Sequence, residues 1–362
     1  MGIPSCVEQP HLLAAGMHWD ALAAAPYKLD RSTWNTLGMN AIRDRAHYKF
    51  PNSHDYGACV GSRPLYEMRP KHCTLQPFDR EEVCRRKLLG RQAVFVGDST
   101  TAQLFLSTVL SLNGSLGRNS GMSSLEEATA SACDDTLRLA FVRTDTLWYT
   151  EDLFTRDLVR RCTSQKANAW TQRASRDADV LVLGIGQHPA ATLLHDERHL
   201  AWPSFVHNLN LTMASLLAAR AAWGHSDSKR VAVVGATLPV PGCRDQYAPA
   251  RSMAEASGRV ESRLAATATL GRAKYADSWR ANHRVNQLAE WLTRESGATF
   301  VDVAAVSMQR GDGAMGGPYG TTTLPEDCVH YCVRRRDSNS RRRAMPWPFI
   351  WPRCSYICLL SH

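Results

Sequence analysis

The chain has 362 residues, 44% apolar and 21% charged, enough for one large domain or two ordinary ones with a proper core. Its formal net charge of +9 is concentrated near the end, where residues 333–362 carry Arg334, Arg335, Arg336, Arg341, Arg342, Arg343 and Arg353 against the single acid Asp337. The body is therefore close to neutral, without the basic stripe and stacking aromatics of a nucleic-acid-binding protein, and no run of about 18 apolar residues encodes a membrane span.

Residues 1–90 hold no long periodic segment; rich in Pro, His, Trp and Cys, they predict an irregular N-terminal region packing on a domain that starts near residue 91. A βα pattern begins at Gln92. Short apolar runs with β-branched residues predict strands at Ala93–Val96, Leu137–Val142, Val180–Leu183, Val231–Val234 and Thr299–Val303, each suited to burial on both faces of a parallel sheet. Helical spacing falls between them. Residues 101–112 carry Leu104, Phe105, Val109 and Leu112 on one face, and residues 203–222 carry Phe205, Leu209, Met213 and Leu216. Residues 280–296 carry Val285, Leu288, Trp291 and Leu292, with Gly297 as the stop. These stripes are expected to face the core. Alternating strands and helices predict a three-layer α/β/α sandwich over 91–333, whose site lies beyond the carboxyl ends of the strands. From 334 to 362 the pattern gives way to a basic Pro/Trp-containing tail that does not read as part of that domain.

Eleven cysteines are scattered along the chain without a CxxC pair, which is a poor zinc framework; no metal site is expected. Scattered cysteines fit disulfides in an oxidising compartment, as do the sequons Asn113-Gly114-Ser115 and Asn210-Leu211-Thr212. No basic n-region and apolar core open the sequence, so the expectation is a secretory-pathway protein whose N-terminus is truncated here; free thiols in the cytosol are the alternative.

The segment Phe95-Val96-Gly97-Asp98-Ser99-Thr100 reads as a strand, a tight turn and a helix start. A serine there has an exposed hydroxyl and a backbone N–H facing the same space, which is what an acyl-accepting nucleophile needs. Far downstream, Asp327-Cys328-Val329-His330 offers a base and its orienter on one short loop, in the order Ser, Asp, His. Two polar residues on an exposed loop would look the same when taken alone. After the third strand, Gly184-Ile185-Gly186-Gln187-His188 supplies glycines at a strand's carboxyl end. The Gly186 N–H, with the Ser99 N–H, is the candidate oxyanion hole; a plain turn fits the same residues. His188 lines the site or is structural.

Phe95 to Phe105, Gly186-x-His188 and Asp327-Cys328-x-His330-Tyr331-Cys332 resemble the PC-esterase branch of the SGNH/GDSL hydrolase superfamily, which includes trichome-birefringence-like polysaccharide O-acetyltransferases and capsule-type sugar O-acetyltransferases. Cys59-Val60-Gly61-Ser62-Arg63-Pro64-Leu65-Tyr66, with Pro70 and Cys73, is similar to the stretch that precedes the nucleophile turn in the plant proteins. So is Val301-Asp302-Val303 with Arg310-Gly311-Asp312-Gly313 to the segment before their histidine motif. The resemblance spans about residues 55–332. It implies an SGNH-like sandwich, Ser99 as nucleophile, His330 as base and Asp327 as its partner. It also implies disulfides Cys243–Cys328 and Cys59–Cys332. Gln103, in the nucleophile motif, and His188 are the substrate-binding residues expected with it. The implied activity is O-acetyl transfer to hydroxyls of a glycan or polysaccharide in the secretory pathway, in the Golgi lumen. It would use no bound cofactor but an acyl donor, with acetyl-CoA the candidate. A carbohydrate O-acetyl esterase with the same residues and a non-catalytic glycan-binding homologue are the alternatives. The chain departs from the pattern at Gly184, where many relatives have an oxyanion-hole Asn, and at Tyr331, where they have Trp. It departs again after Cys332, where they continue with Pro-Gly and a Trp-Asn-containing helix.

Overall fold

Every apolar run predicted to be a strand forms one, and all five lie side by side. The computed structural model describes residues 17–22, 65–70, 79–87, 90–117, 127–144, 147, 169–188, 201–268, 274–311, 314 and 328–329. The strands among them are β1 (Met17–Leu22), β2 (Leu65–Pro70), β3 (Gln92–Gly97), β4 (Ser115–Leu116), β5 (Glu127–Ala132), β6 (Leu137–Arg143), β7 (Val180–Gly184), β8 (Val231–Val234) and β9 (Thr299–Val301). The longer helices are α1 (Ser99–Ser111), α2 (Ala201–Ala222), α3 (Met253–Ala268), α4 (Lys274–Glu295) and α5 (Ala304–Gln309).

The main sheet runs in the order β4-β5-β6-β3-β7-β8-β9. From β6 to β9 all neighbours are parallel; β4 and β5 add an antiparallel edge. The chain thus leaves β3, fills one side with β6, then crosses to the other side with β7. Between β3 and β7 lies the topological switch point, where an open α/β sheet leaves a crevice at its carboxyl edge.

The period-two alternation of the strands divides the core into two layers. Phe95, Leu139, Phe141, Val180, Val182, Ala232 and Val234 point to one side, where they meet Leu104, Phe105 and Val109 of α1, Val260 and Leu264 of α3, and Val306 of α5. Val94, Val96, Leu181, Leu183, Val231 and Val233 point to the other, against Phe205, Leu209, Met213 and Leu216 of α2 and Val285, Ala289 and Leu292 of α4. Val94, Val96, Leu181 and Leu183 are wholly buried, each contributing about 1.5–3 kcal/mol of apolar transfer. Phe105 sits edge-on to Phe95, with centroids 5.7 Å apart. The three-layer α/β/α sandwich expected from the sequence is the fold.

The differences from expectation have local causes. β9 stops at Val301 because Asp302 turns the chain into α5, its carboxylate accepting the Ala304 N–H at 2.8 Å. Trp291 is exposed, not core-facing: the buried face of α4 runs through Ala281, Val285, Ala289 and Leu292, and Trp291 stands one residue, about 100°, off that line. α3 presents only the sparse stripe Ala256, Val260 and Leu264. The region read as irregular contains one antiparallel pair, β1 with β2. Near its end, Cys84 is bonded to Cys133 in the β5–β6 turn, where Cys133, Asp134 and Asp135 all have positive φ. Among the described residues no helix is long and apolar enough to cross a membrane.

Candidate active site

Ser99 is the first residue of α1, immediately beyond the carboxyl end of β3, and is partly exposed. Its backbone N–H belongs to the first helical turn, whose N–H groups point away from the helix body and carry the positive end of the macrodipole. Asp98 organises this turn. Its Oδ1 accepts the Thr100 N–H at 2.9 Å and the Thr100 hydroxyl at 2.6 Å, which caps the helix. Its Oδ2 accepts the Gln187 N–H at 2.8 Å, from the turn after β7. One carboxylate, 1% exposed, therefore ties the residue beside Ser99 to the turn that carries Gly186.

Gly186 is a glycine for two reasons. Its φ of +72° lies in the left-handed region, and a β carbon would stand 2.5 Å from the Asp98 carboxyl carbon. Gly184 is explained differently. It ends β7, and a β carbon there would collide with Thr101 Oγ1. The same hydroxyl fills the space over Gly97, the last residue of β3. An Asn at 184 has no room, so this chain builds its switch point with Thr101 packed against two bare backbones.

The loop after β8 supplies the third wall. Asn286 of α4 clamps Ala236, accepting its N–H at 2.7 Å and donating to its carbonyl at 2.8 Å. The Gln187 side-chain amide donates to Thr237 O at 2.6 Å and to Thr237 Oγ1 at 2.8 Å. The Thr237 hydroxyl in turn donates to the Val329 carbonyl at 3.4 Å. Val240 N–H donates to the Cys328 carbonyl at 3.3 Å, and Cys243 is disulfide-bonded to Cys328, the pairing that the resemblance implies. The 328–329 backbone is thus pinned to the 237–243 loop at the same sheet edge as Ser99.

Asp327 and His330, either side of that backbone, lie outside the described residues, as do Cys59 and Cys332. Gln103, on α1, is 2% exposed, whereas His188 is exposed on the segment after Gln187. Sequence reasoning did not single out Asp98, Gln187, Thr237, Asn282 or Asn286 for a role. The legible signal was on α4, where Asn282 and Asn286 stand four residues apart beside the apolar stripe; buried amides there need partners. No cluster of metal-ligating side chains occurs among the described residues.

No protein-family model matches the chain, and no curated protein matches it. Solved structures resemble it only distantly. A catalytic mutant of the acetylxylan esterase Axe2 from Geobacillus stearothermophilus is 12% identical, with 68% of this chain and 89% of that one covered and a TM-score of 0.34. LAE5, an alpha/beta hydrolase from the metagenome of Lake Arreo, Spain, is 15% identical over 68% and 89%, with a TM-score of 0.33. An extracellular lipase from Streptomyces rimosus is 14% identical over 67% and 92%, with a TM-score of 0.27. Likeness at this level does not reach function, which rests on this chain's own residues.

Proposed function

We propose that the protein is a serine-dependent O-acyltransferase that moves an acyl group, acetyl first among the candidates, onto hydroxyls of a glycan. The observation that supports it best is the Asp98 carboxylate, which joins the Ser99 helix start to the Gly186–Gln187 turn across the switch point. That junction favours the reading because it ties the helix start that carries Ser99 to the turn that carries Gly186. The backbone beside His330 reaches it through Thr237.

In this reading Ser99 Oγ attacks the donor carbonyl while His330 takes the hydroxyl proton, with Asp327 holding the imidazole in the required tautomer. The oxyanion is received by the Ser99 and Gly186 N–H groups. The leaving group departs with the proton from His330, and acyl-Ser99 remains. A sugar hydroxyl, deprotonated by His330, then attacks the acyl carbonyl and releases Ser99. The acyl donor is a co-substrate, and acetyl-CoA is the first to test. The glycan acceptor rests on the sequence resemblance at 95–105 and 327–332. The two disulfides among the described residues and the exposed sequon residues Asn113 and Asn210 fit a secretory compartment such as the Golgi lumen.

The test measures acetyl transfer to oligosaccharides beside hydrolysis of an aryl acetate, with Ser99→Ala as control. Transfer exceeding hydrolysis supports the proposal. Hydrolysis alone makes the protein an esterase with water as acceptor. Neither activity, with no fluorophosphonate labelling of Ser99, leaves a glycan-binding protein without turnover.

A further inference from the structure

We infer that Gln187 is a positioning residue that holds the Ser99 turn and the backbone beside His330 in register. Its catalytic consequence rests on the proposed function; the mechanical coupling does not.

Gln187 bonds to three separate segments around the switch point. Its N–H is held by Asp98, its Nε2 by Thr237 O and Oγ1, and its Oε1 by Asn282 Nδ2 at 2.6 Å. Segments near 98, 187, 237 and 282 are thereby joined through one half-buried side chain. The amide orientation follows from its partners: the Thr237 carbonyl only accepts, so Nε2 faces it, and Oε1 faces the Asn282 amide.

Thr237 is the joint that carries this order to the base loop. It is wholly buried, and the Asn286 clamp on Ala236 fixes its backbone. Its hydroxyl can turn about the Cβ–Oγ1 bond, but accepting from Gln187 Nε2 directs its own proton toward Val329 O. Without the Gln187 amide the hydroxyl loses the donor that orients it, and Val329 loses a directed bond one residue from His330. Linked, part-buried bonds of this kind strengthen one another, so the loss of one member is felt along the chain of bonds. The disulfide at Cys328 tethers the loop, while the Gln187–Thr237 pair sets its register.

Gln187→Met keeps length without donors or acceptors, and Thr237→Val removes only the joint's hydroxyl. Both are made in the full-length oxidised protein. Two readouts are taken: aryl acetate kinetics with fluorophosphonate labelling of Ser99, and the rate at which dithiothreitol reduces Cys243–Cys328 relative to Cys84–Cys133. Each variant is expected to lose about 10- to 100-fold in kcat with KM little changed, as a displaced base would give. Each should speed reduction of Cys243–Cys328 alone, and the double variant should be no worse than either single one. Unchanged kcat, or equal acceleration at both disulfides, overturns the inference, since the first shows no coupling and the second shows general loosening. If the unmodified protein neither labels nor turns over, the acyl-enzyme reading fails while the ratio of reduction rates still decides the coupling.

Discussion

Thr101 and Gly184 interlock: the hydroxyl at the first turn of α1 occupies the space that any side chain at the end of β7 would need. The contact holds α1 closely against the neighbouring strand. Gly184→Ala should therefore overpack the site and cost about 2 kcal/mol. Thr101→Ala removes the obstructing hydroxyl, so the double variant should be more stable than Gly184→Ala alone. Urea midpoints of the four proteins measure the cycle; simple additivity would show that the two residues do not share this space.

Ser99→Ala should keep the melting temperature, because the side chain is partly exposed at a helix start, and should lower turnover at least about 1,000-fold. His330→Ala should do the same. Combining them should cost little more, since nucleophile and base act as a unit. Losses that multiply would mean that His330 does not serve Ser99. Fluorophosphonate labelling followed by peptide mapping reports the same point without a substrate.

Why was the framework of this site visible in the sequence while its fastening was not? Val94, Val96, Leu181 and Val233 announce buried parallel strands by composition alone, and Gly97-Asp98-Ser99 marks a strand-to-helix turn. Those signals are local. β4 and β5 were silent because Ser115–Leu116 is too short, and Glu127–Ala132 is too poor in β-branched residues, to show a strand pattern. The roles of Asp98, Gln187 and Thr237 arise only when residues 89 and 50 positions apart are folded together, so neither spacing nor residue type reveals them. The Cys84–Cys133 bond was illegible for the same reason, with eleven cysteines and no spacing to choose a partner.

Arg220 makes a separate prediction far from the crevice. It is 1% exposed on α2, and its guanidinium donates to the carbonyls of Ala174 and Ala178, both 2.7 Å away, just before the amino end of β7. Arg220→Ala leaves both carbonyls unpaired and opens a cavity, costing about 3 kcal/mol or more. Arg220→Met fills most of the volume and should cost about 1–2 kcal/mol. Both should retain kcat at a temperature where they remain folded, because the residue sits at the edge opposite Ser99. Denaturant unfolding beside steady-state kinetics checks this; a fall in kcat without a fall in stability would contradict it.

The Cys84–Cys133 and Cys243–Cys328 disulfides should separate stability from catalysis. Cys84 and Cys133 are 49 positions apart in the sequence, and Cys243 and Cys328 are 85 apart. On chain entropy alone, removing either costs roughly 4 kcal/mol, and the two costs differ by only about 0.5 kcal/mol. Their places differ entirely. Cys133 lies in the turn leading into β6, at the sheet edge away from Ser99, whereas Cys328 is two residues from His330. The Cys84→Ser/Cys133→Ser protein should therefore lose melting temperature and keep kcat in the folded state. Its Cys243→Ser/Cys328→Ser counterpart should lose both, with kcat falling about tenfold or more as the base loop slackens. Measuring both pairs at a temperature below either transition decides it. Equal kcat in the two proteins would mean that the Thr237 and Val240 hydrogen bonds hold the 328–329 backbone without the disulfide.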